Sequence, residues 1–229
     1  MDPIVIMGGF LSSAERYVEM SRTLAHLSQQ PVSIVDIHPL EWFLSVHSSG
    51  WVVLLDKLDC TVQIAAGSSP TGKVSVIGHS VGGVLAHLYL GAEPFHNRVY
   101  AGSERVSQLV TLGSPHHNQG GWRRGGALSR WVERRYPGAY YAGVVQYMSV
   151  AGKWVSGSQI DSRLSRFAYK NYQDIGGNGA TCGDGIIPIE SALLPDSRQI
   201  VLENVSHDKI LSNRWYGNKE VVPLWWNPD

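Results

Sequence analysis

The apolar run Val74-Ser75-Val76-Ile77 ends in Gly78-His79-Ser80-Val81-Gly82-Gly83 and passes at once into a segment with helical spacing. A strand, a tight turn and a helix in that order leave few folds open. Glycines on both sides of the serine let the two backbones approach where a Cβ would clash. A serine on such a strained turn projects its hydroxyl out of the fold. Ser80 is therefore a candidate nucleophile. The same residues also suit a glycine-rich strand-to-helix turn in some other α/β protein.

The rest of the chain supplies the rhythm that this unit needs. Apolar runs rich in Val and Ile occupy 3–7, 32–37, 73–77, 107–112, 144–150 and 199–203. Short continuous runs of that kind predict parallel strands buried on both faces. Helical spacing fills 13–28, behind Ser12 or Ser13 as N-cap, then 50–66 and 81–91. Alternating strands and helices predict a doubly wound α/β sheet, mostly parallel, of about six strands. Two segments break the rhythm, about 114–143 and 152–183. Both are rich in Gly, Ser, Arg and aromatic residues and are expected as cap or lid insertions in a single domain spanning 1–229.

The length of 229 residues allows a substantial core, and a formal net charge of zero makes no case for nucleic acid. Cys60 and Cys182 are too few for a disulfide framework and are expected as reduced thiols. The first strand begins at Pro3, without a basic segment, an apolar stretch and a cleavage site before it, so no signal peptide is expected. No run reaches the roughly 18–20 apolar residues of a membrane span. The expectation is a protein of the cytoplasm, or one peripheral to an internal membrane.

A serine hydroxyl needs a base, and the base needs an acid that orients it. In a strand–turn–helix site of this type the chain order is serine, acid, histidine. Of nine histidines, His96, His116, His117 and His207 follow the helix after Ser80, and only His207 follows the last strand. His207 is the candidate base, against the alternative of a surface loop residue. His116 and His117 line a pocket or anchor a cap. Asp184 is the candidate acid because Gly183 and Gly185 flank it and permit a sharp turn. An ordinary Asp-Gly turn is the alternative, with Asp161 and Asp174 as reserves. Two N–H donors must also face the developing oxyanion. The amide of Val81 is one candidate and that of Phe10, after Gly8-Gly9, the other. A dinucleotide site is discounted because no G-x-G-x-x-G follows. Gly9, His79 and His116 are candidates for substrate contact.

With these residues in place the chain resembles serine hydrolases of the α/β-hydrolase fold, in the lipase-like branch found in cyanobacteria and plant plastids. The matching pieces are Gly9-Phe10-Leu11, Gly78-His79-Ser80-Val81-Gly82-Gly83, Thr111-Leu112-Gly113-Ser114-Pro115-His116 and Tyr136-Pro137-Gly138-Ala139-Tyr140-Tyr141. Ser149-Val150-Ala151-Gly152, Gly183-Asp184-Gly185-Ile186-Ile187-Pro188-Ile189-Glu190-Ser191-Ala192 and the region of His207 follow in the same order. The resemblance implies a Ser80, Asp184 and His207 triad, an oxyanion hole at Phe10 and Val81, and ester hydrolysis without metal or organic cofactor. It also implies membrane glycerolipids such as galactolipids as substrates. A small-molecule esterase, an acyltransferase and a non-catalytic binding relative are the rivals. The chain departs from the pattern at Gly8-Gly9, where many lipases have His-Gly, and at Cys182, where relatives carry a bulky aromatic.

Residues 122–136 hold five arginines and one glutamate with interleaved aromatics. Arginine beside aromatic rings suits the headgroup level of an anionic bilayer. Trp122, Arg123, Arg124 and Trp131 are the candidate membrane contacts, with Pro223-Leu224-Trp225-Trp226 as a second anchor. The alternatives are a cap helix whose tryptophans pack on the body and a C-terminal tail packed on the core.

Overall fold

A computed structural model describes residues 1–46, 49–120 and 125–226. Its strands are β1 (Ile4–Met7), β2 (Val32–Ile34), β3 (Val74–His79), β4 (Val106–Leu112), β5 (Gln146–Lys153), β6 (Val155–Ser156), β7 (Cys182–Gly183) and β8 (Arg198–Glu203). Its α-helices are α1 (Val18–Ser28), α2 (Gly50–Gly67), α3 (Val81–Tyr89), α4 (Gly126–Arg135), α5 (Arg163–Gly176), α6 (Ile189–Ala192) and α7 (Val222–Trp225). Six strands form one sheet in the order β2-β1-β3-β4-β5-β8, every neighbour parallel. β6 and β7 pair separately and antiparallel.

Alternation along the strands divides the core in two. Val5, Met7, Val74, Val76 and Leu109 pack on one face under α2, α3 and α4. Ile4, Ile6, Ile77, Val110 and Val150 pack on the other under α1 and α7. A parallel sheet needs this double cover, and β1 and β3 are buried throughout. β8 is not. It is an edge strand with most of its residues exposed, so the expectation of burial on both faces fails there. β2, expected over 32–37, stops at Ile34. Ser13, one of the two expected N-caps, stands at the cap position of the first helical turn, but its side chain makes no capping hydrogen bond. The chain enters through a 3-10 turn at Ala14–Tyr17, and the Ser12 hydroxyl donates instead to the Gly9 carbonyl at 2.5 Å.

α3 is buried along its whole length, as a helix apolar on all sides must be. It carries His87, whose Nε2 has no hydrogen-bond partner among the described residues. Burial lowers the His87 pKa from 6.5 to about 4. The folded state then prefers the neutral ring, so the stability it contributes is full above pH 6.5. That stability is lost as the pH falls from 6.5 through 4, where the unfolded chain binds the extra proton. His87→Leu is expected to remove up to about 3 kcal/mol of this acid destabilisation. Urea melts of both proteins at pH 7 and pH 4.5 measure it, and equal pH dependence in the two would refute the assignment.

Candidate active site

The chain leaves β1 for β2 on one side, while β3 lies on the other. A crevice therefore opens beyond the carboxyl ends of β1 and β3, the place where open α/β sheets bind ligands. Ser80 follows β3 directly into this crevice. It has φ 55° and ψ −132°, a left-handed conformation that costs a serine of order 1–3 kcal/mol and persists only when its surroundings impose it. The Ser80 N–H donates to the Leu112 carbonyl at 2.9 Å, and the Ser80 carbonyl accepts from Gly83 N–H at 3.0 Å. A Cβ at Gly78 would lie 2.3 Å from the Gly83 Cα, and one at Gly82 would lie 2.3 Å from the Gly8 carbonyl oxygen. Only glycine lets strand, helix and first loop meet this closely.

The structure brings Ser80, Asp184 and His207 together from three loops. His207 Nδ1 lies 2.7 Å from Asp184 Oδ2, and its Nε2 lies 3.0 Å from Ser80 Oγ. Asp184 is 1% exposed, and its charge is met by hydrogen-bond donors on all sides. Oδ1 accepts from the Ile186 and Ile187 amides at 3.0 and 2.7 Å, and Oδ2 accepts from the Tyr216 hydroxyl at 2.9 Å. Gly185, at φ +99°, makes the turn that folds those amides back. The carboxylate leaves His207 Nδ1 as the donor, so Nε2 is free to accept the Ser80 proton. Burial, then the charge of Asp184, raises the Tyr216 hydroxyl well above its usual pKa, which keeps it a donor.

Gly9 belongs beside the serine, since a Cβ there would lie 2.8 Å from Ser80 Cβ. Its N–H is spent on the Tyr17 hydroxyl at 2.8 Å. The amides of Phe10 and of Val81, the first residue of α3, donate to no group among the described residues. Both candidates for an oxyanion site are thus free.

Of the three expected substrate contacts, Gly9 and His79 line the crevice and His116 does not. The His79 side chain touches the crevice floor but is almost fully buried, with Nδ1 2.9 Å from the Tyr17 hydroxyl and Nε2 2.9 Å from the His207 carbonyl. The His116 ring turns away from the crevice toward Thr111, 3.0 Å from Nε2, and packs on His87. Tyr17 and Tyr216 stand in no motif and their roles arise only from folding. His207 Nδ1 pairs with Asp184 and not with Asp161 or Asp174, the reserves for the acid.

The crevice continues into a cavity of about 500 Å³ walled by Phe10, Phe43, Trp51, Val81, Pro115, Ile175, Ile186 and Ile187. Arg16, the one cation on its lining among the described residues, pairs with Asp208 at 2.9 Å. Phe10 and Phe43 are 51% and 55% exposed. No three His, Cys, Asp or Glu side chains among the described residues could hold a metal ion. No helix among them is long and apolar enough to cross a membrane.

Of the residues expected at a membrane, Trp122, Arg123 and Arg124 lie outside the described residues. Trp131 is half-buried against the core, with its ring 5.1 Å from Phe95 and the Arg135 guanidinium 5.9 Å from its own centroid. Arg130 donates to the Asn118 and Gly120 carbonyls. Trp225 and Trp226 are buried, and Trp225 Nε1 donates to the Tyr216 carbonyl at 3.0 Å. That tail is core, because both rings close the face of the sheet that α1 leaves open.

This fold is the α/β-hydrolase fold. The model of a PGAP1-like alpha/beta domain matches residues 54–121, from α2 through the serine turn to the loop after β4. A putative cell surface hydrolase from Lactobacillus plantarum is similar in structure, with TM-score 0.56, 13% identity and cover of 98% of this chain and 89% of that one. Est1E from Butyrivibrio proteoclasticus, solved with ferulic acid, aligns with TM-score 0.54 and 14% identity over 97% of this chain and 85% of its own. Tomato methylketone synthase I, solved with 2-tridecanone, aligns with TM-score 0.50 and 12% identity over 98% and 95%. No curated protein matches the sequence.

Proposed function

We propose that the protein is a serine hydrolase of carboxylic esters. The observation that carries this is the unbroken line from Asp184 through His207 to Ser80, at 2.7 and 3.0 Å, beside two unengaged amides at the mouth of an apolar cavity. Ser80 Oγ attacks the carbonyl carbon as its proton passes to His207 Nε2, and the carbonyl electrons move to oxygen. The Phe10 and Val81 amides stabilise that oxyanion. Collapse breaks the ester C–O bond, and the alcohol leaves with the proton from His207. Water then repeats the sequence on the acyl-enzyme, and the acid departs. Asp184 stays ionised throughout and holds the imidazolium.

The described cavity walls favour an uncharged, apolar acyl group, since they are largely apolar and Arg16 is already paired with Asp208. Exposed Phe10 and Phe43 at the opening favour substrates delivered from an apolar phase. Membrane glycerolipids such as galactolipids fit that description, with Trp122, Arg123 and Arg124 as the surface contacts. A fluorophosphonate tests the chemistry. One adduct per chain, found on Ser80 by peptide mass analysis, is the expected result, and an adduct elsewhere or none sinks it. Incubation with mixed membrane lipids, followed by mass analysis of lyso-lipids and fatty acids, tests the substrate. Turnover of short soluble esters alone would remove the lipid and leave the hydrolase.

A further inference from the structure

We propose that Tyr17 and His79 are positioning residues, forming a buried relay that ties the base to the oxyanion turn; this rests on the serine-hydrolase reading above. The protons in the relay can be assigned from chemistry alone. His79 Nε2 lies 2.9 Å from the His207 carbonyl, which can only accept, so Nε2 carries a hydrogen. In a neutral ring Nδ1 must then accept. Its neighbour is the Tyr17 hydroxyl, which donates to it at 2.9 Å in preference to Ser12 Oγ at 3.2 Å, whose own hydrogen goes to the Gly9 carbonyl. The Tyr17 oxygen in turn accepts from the Gly9 N–H at 2.8 Å. The bonds run in one direction, from Gly9 to Tyr17 to His79 to the main chain of His207. Desolvation, then the proximity of His207, holds the His79 pKa well below its usual value and so keeps the ring neutral, as the assignment requires.

The ends of this relay lie in the two halves of the machinery. At one end, Gly9 N–H is engaged by Tyr17, while Phe10 N–H donates to no described residue. At the other, both main-chain groups of His207 are held, its carbonyl by His79 and its N–H by the Asp184 carbonyl at 2.8 Å. The imidazole then has only its side-chain torsions left, and Asp184 settles those. The Trp215 ring packs against both, 5.8 Å from the His79 ring and 6.1 Å from the Tyr17 ring. Both side chains reach the crevice floor but are only 1% and 3% exposed, so their influence passes chiefly through His207 and Phe10.

Four proteins test it: wild type, Tyr17→Phe, His79→Leu and His79→Gln. Each is assayed on a soluble aryl ester and for its rate of fluorophosphonate labelling, with rates divided by the folded fraction from circular dichroism. Tyr17→Phe and His79→Leu are expected to lower kcat roughly 10- to 100-fold with KM within about threefold, the signature of a misplaced base and not of lost binding. His79→Gln, whose amide N–H reaches toward the same carbonyl, is expected to recover most of the loss. Tyr17→Phe keeps the ring in place, and carries the test if His79→Leu does not fold. Folded Tyr17→Phe with wild-type kcat, or equal losses in the Gln and Leu variants, overturns the relay while labelling of wild type still supports the hydrolase. Wild type that takes no label overturns both.

Discussion

Ser80→Ala is expected to lower kcat on any ester by about 10⁶-fold, the loss seen when a triad nucleophile is removed. Every other part of the machinery stays in place. Among the described residues the Ser80 side chain makes one hydrogen bond, to His207 Nε2, and its main chain is held by Leu112 and Gly83 whatever the side chain. Alanine accepts the positive φ no worse than serine does, so the melting temperature should barely change. The residual rate comes from the Phe10 and Val81 amides and from binding in the cavity, and amounts to roughly 10³-fold over water. Steady-state kinetics beside a thermal melt decide the matter. A folded variant within tenfold of wild type would mean that another residue attacks.

Asp184→Asn should cost about 10⁴-fold in kcat with little change in KM. The direction follows from two backbone donors. The Ile186 and Ile187 amides need an acceptor where Oδ1 now sits, so they select the asparagine rotamer that keeps oxygen there. The amide nitrogen then falls where Oδ2 was, 2.7 Å from His207 Nδ1 and 2.9 Å from the Tyr216 hydroxyl. Facing an N–H donor, Nδ1 must become an acceptor, which moves the ring proton to Nε2. A protonated Nε2 cannot take the Ser80 proton. Loss of ester turnover should therefore come with near-normal binding of a non-hydrolysable substrate analogue, measured by calorimetry. Retained kcat in a folded variant would show that the carboxylate does not hold the ring.

The parts of the fold that were legible are those that a short stretch of chain decides for itself. Six apolar runs at 3–7 through 199–203 became the six strands of the main sheet, the inner ones because burial on both faces favours a continuous apolar run, and β2 and β8 as its edges. Gly78, Gly82 and Gly83 announced a close meeting of backbones before any partner was known, since only glycine permits it. Chain order narrowed nine histidines to four, and position after the last strand singled out His207, the residue now found beside Ser80 and Asp184.

Side-chain direction was not legible. His79 and His116 stand beside the motif residues in sequence, yet one became a buried link to His207 and the other turned toward Thr111. Trp225 and Trp226 have the composition of a membrane anchor, and whether such rings meet lipid or core depends on which face of the sheet lacks cover. Tyr17 and Tyr216 carry no pattern at all. Their hydroxyls matter because 62 residues separate Tyr17 from His79 and 32 separate Tyr216 from Asp184, contacts that only the folded sheet creates.

By itself, then, the sequence determined the alternation of strands and helices, the strained turn at Ser80 and the order of the candidate acid and base. These follow from local sterics and from hydrophobic periodicity, which act over a few residues. Tertiary structure alone decided which N–H groups remain free, which hydroxyls hold Asp184 and His79, and which aromatic rings line the cavity. Those depend on distances between loops far apart along the chain, and the packing of the whole sheet sets them.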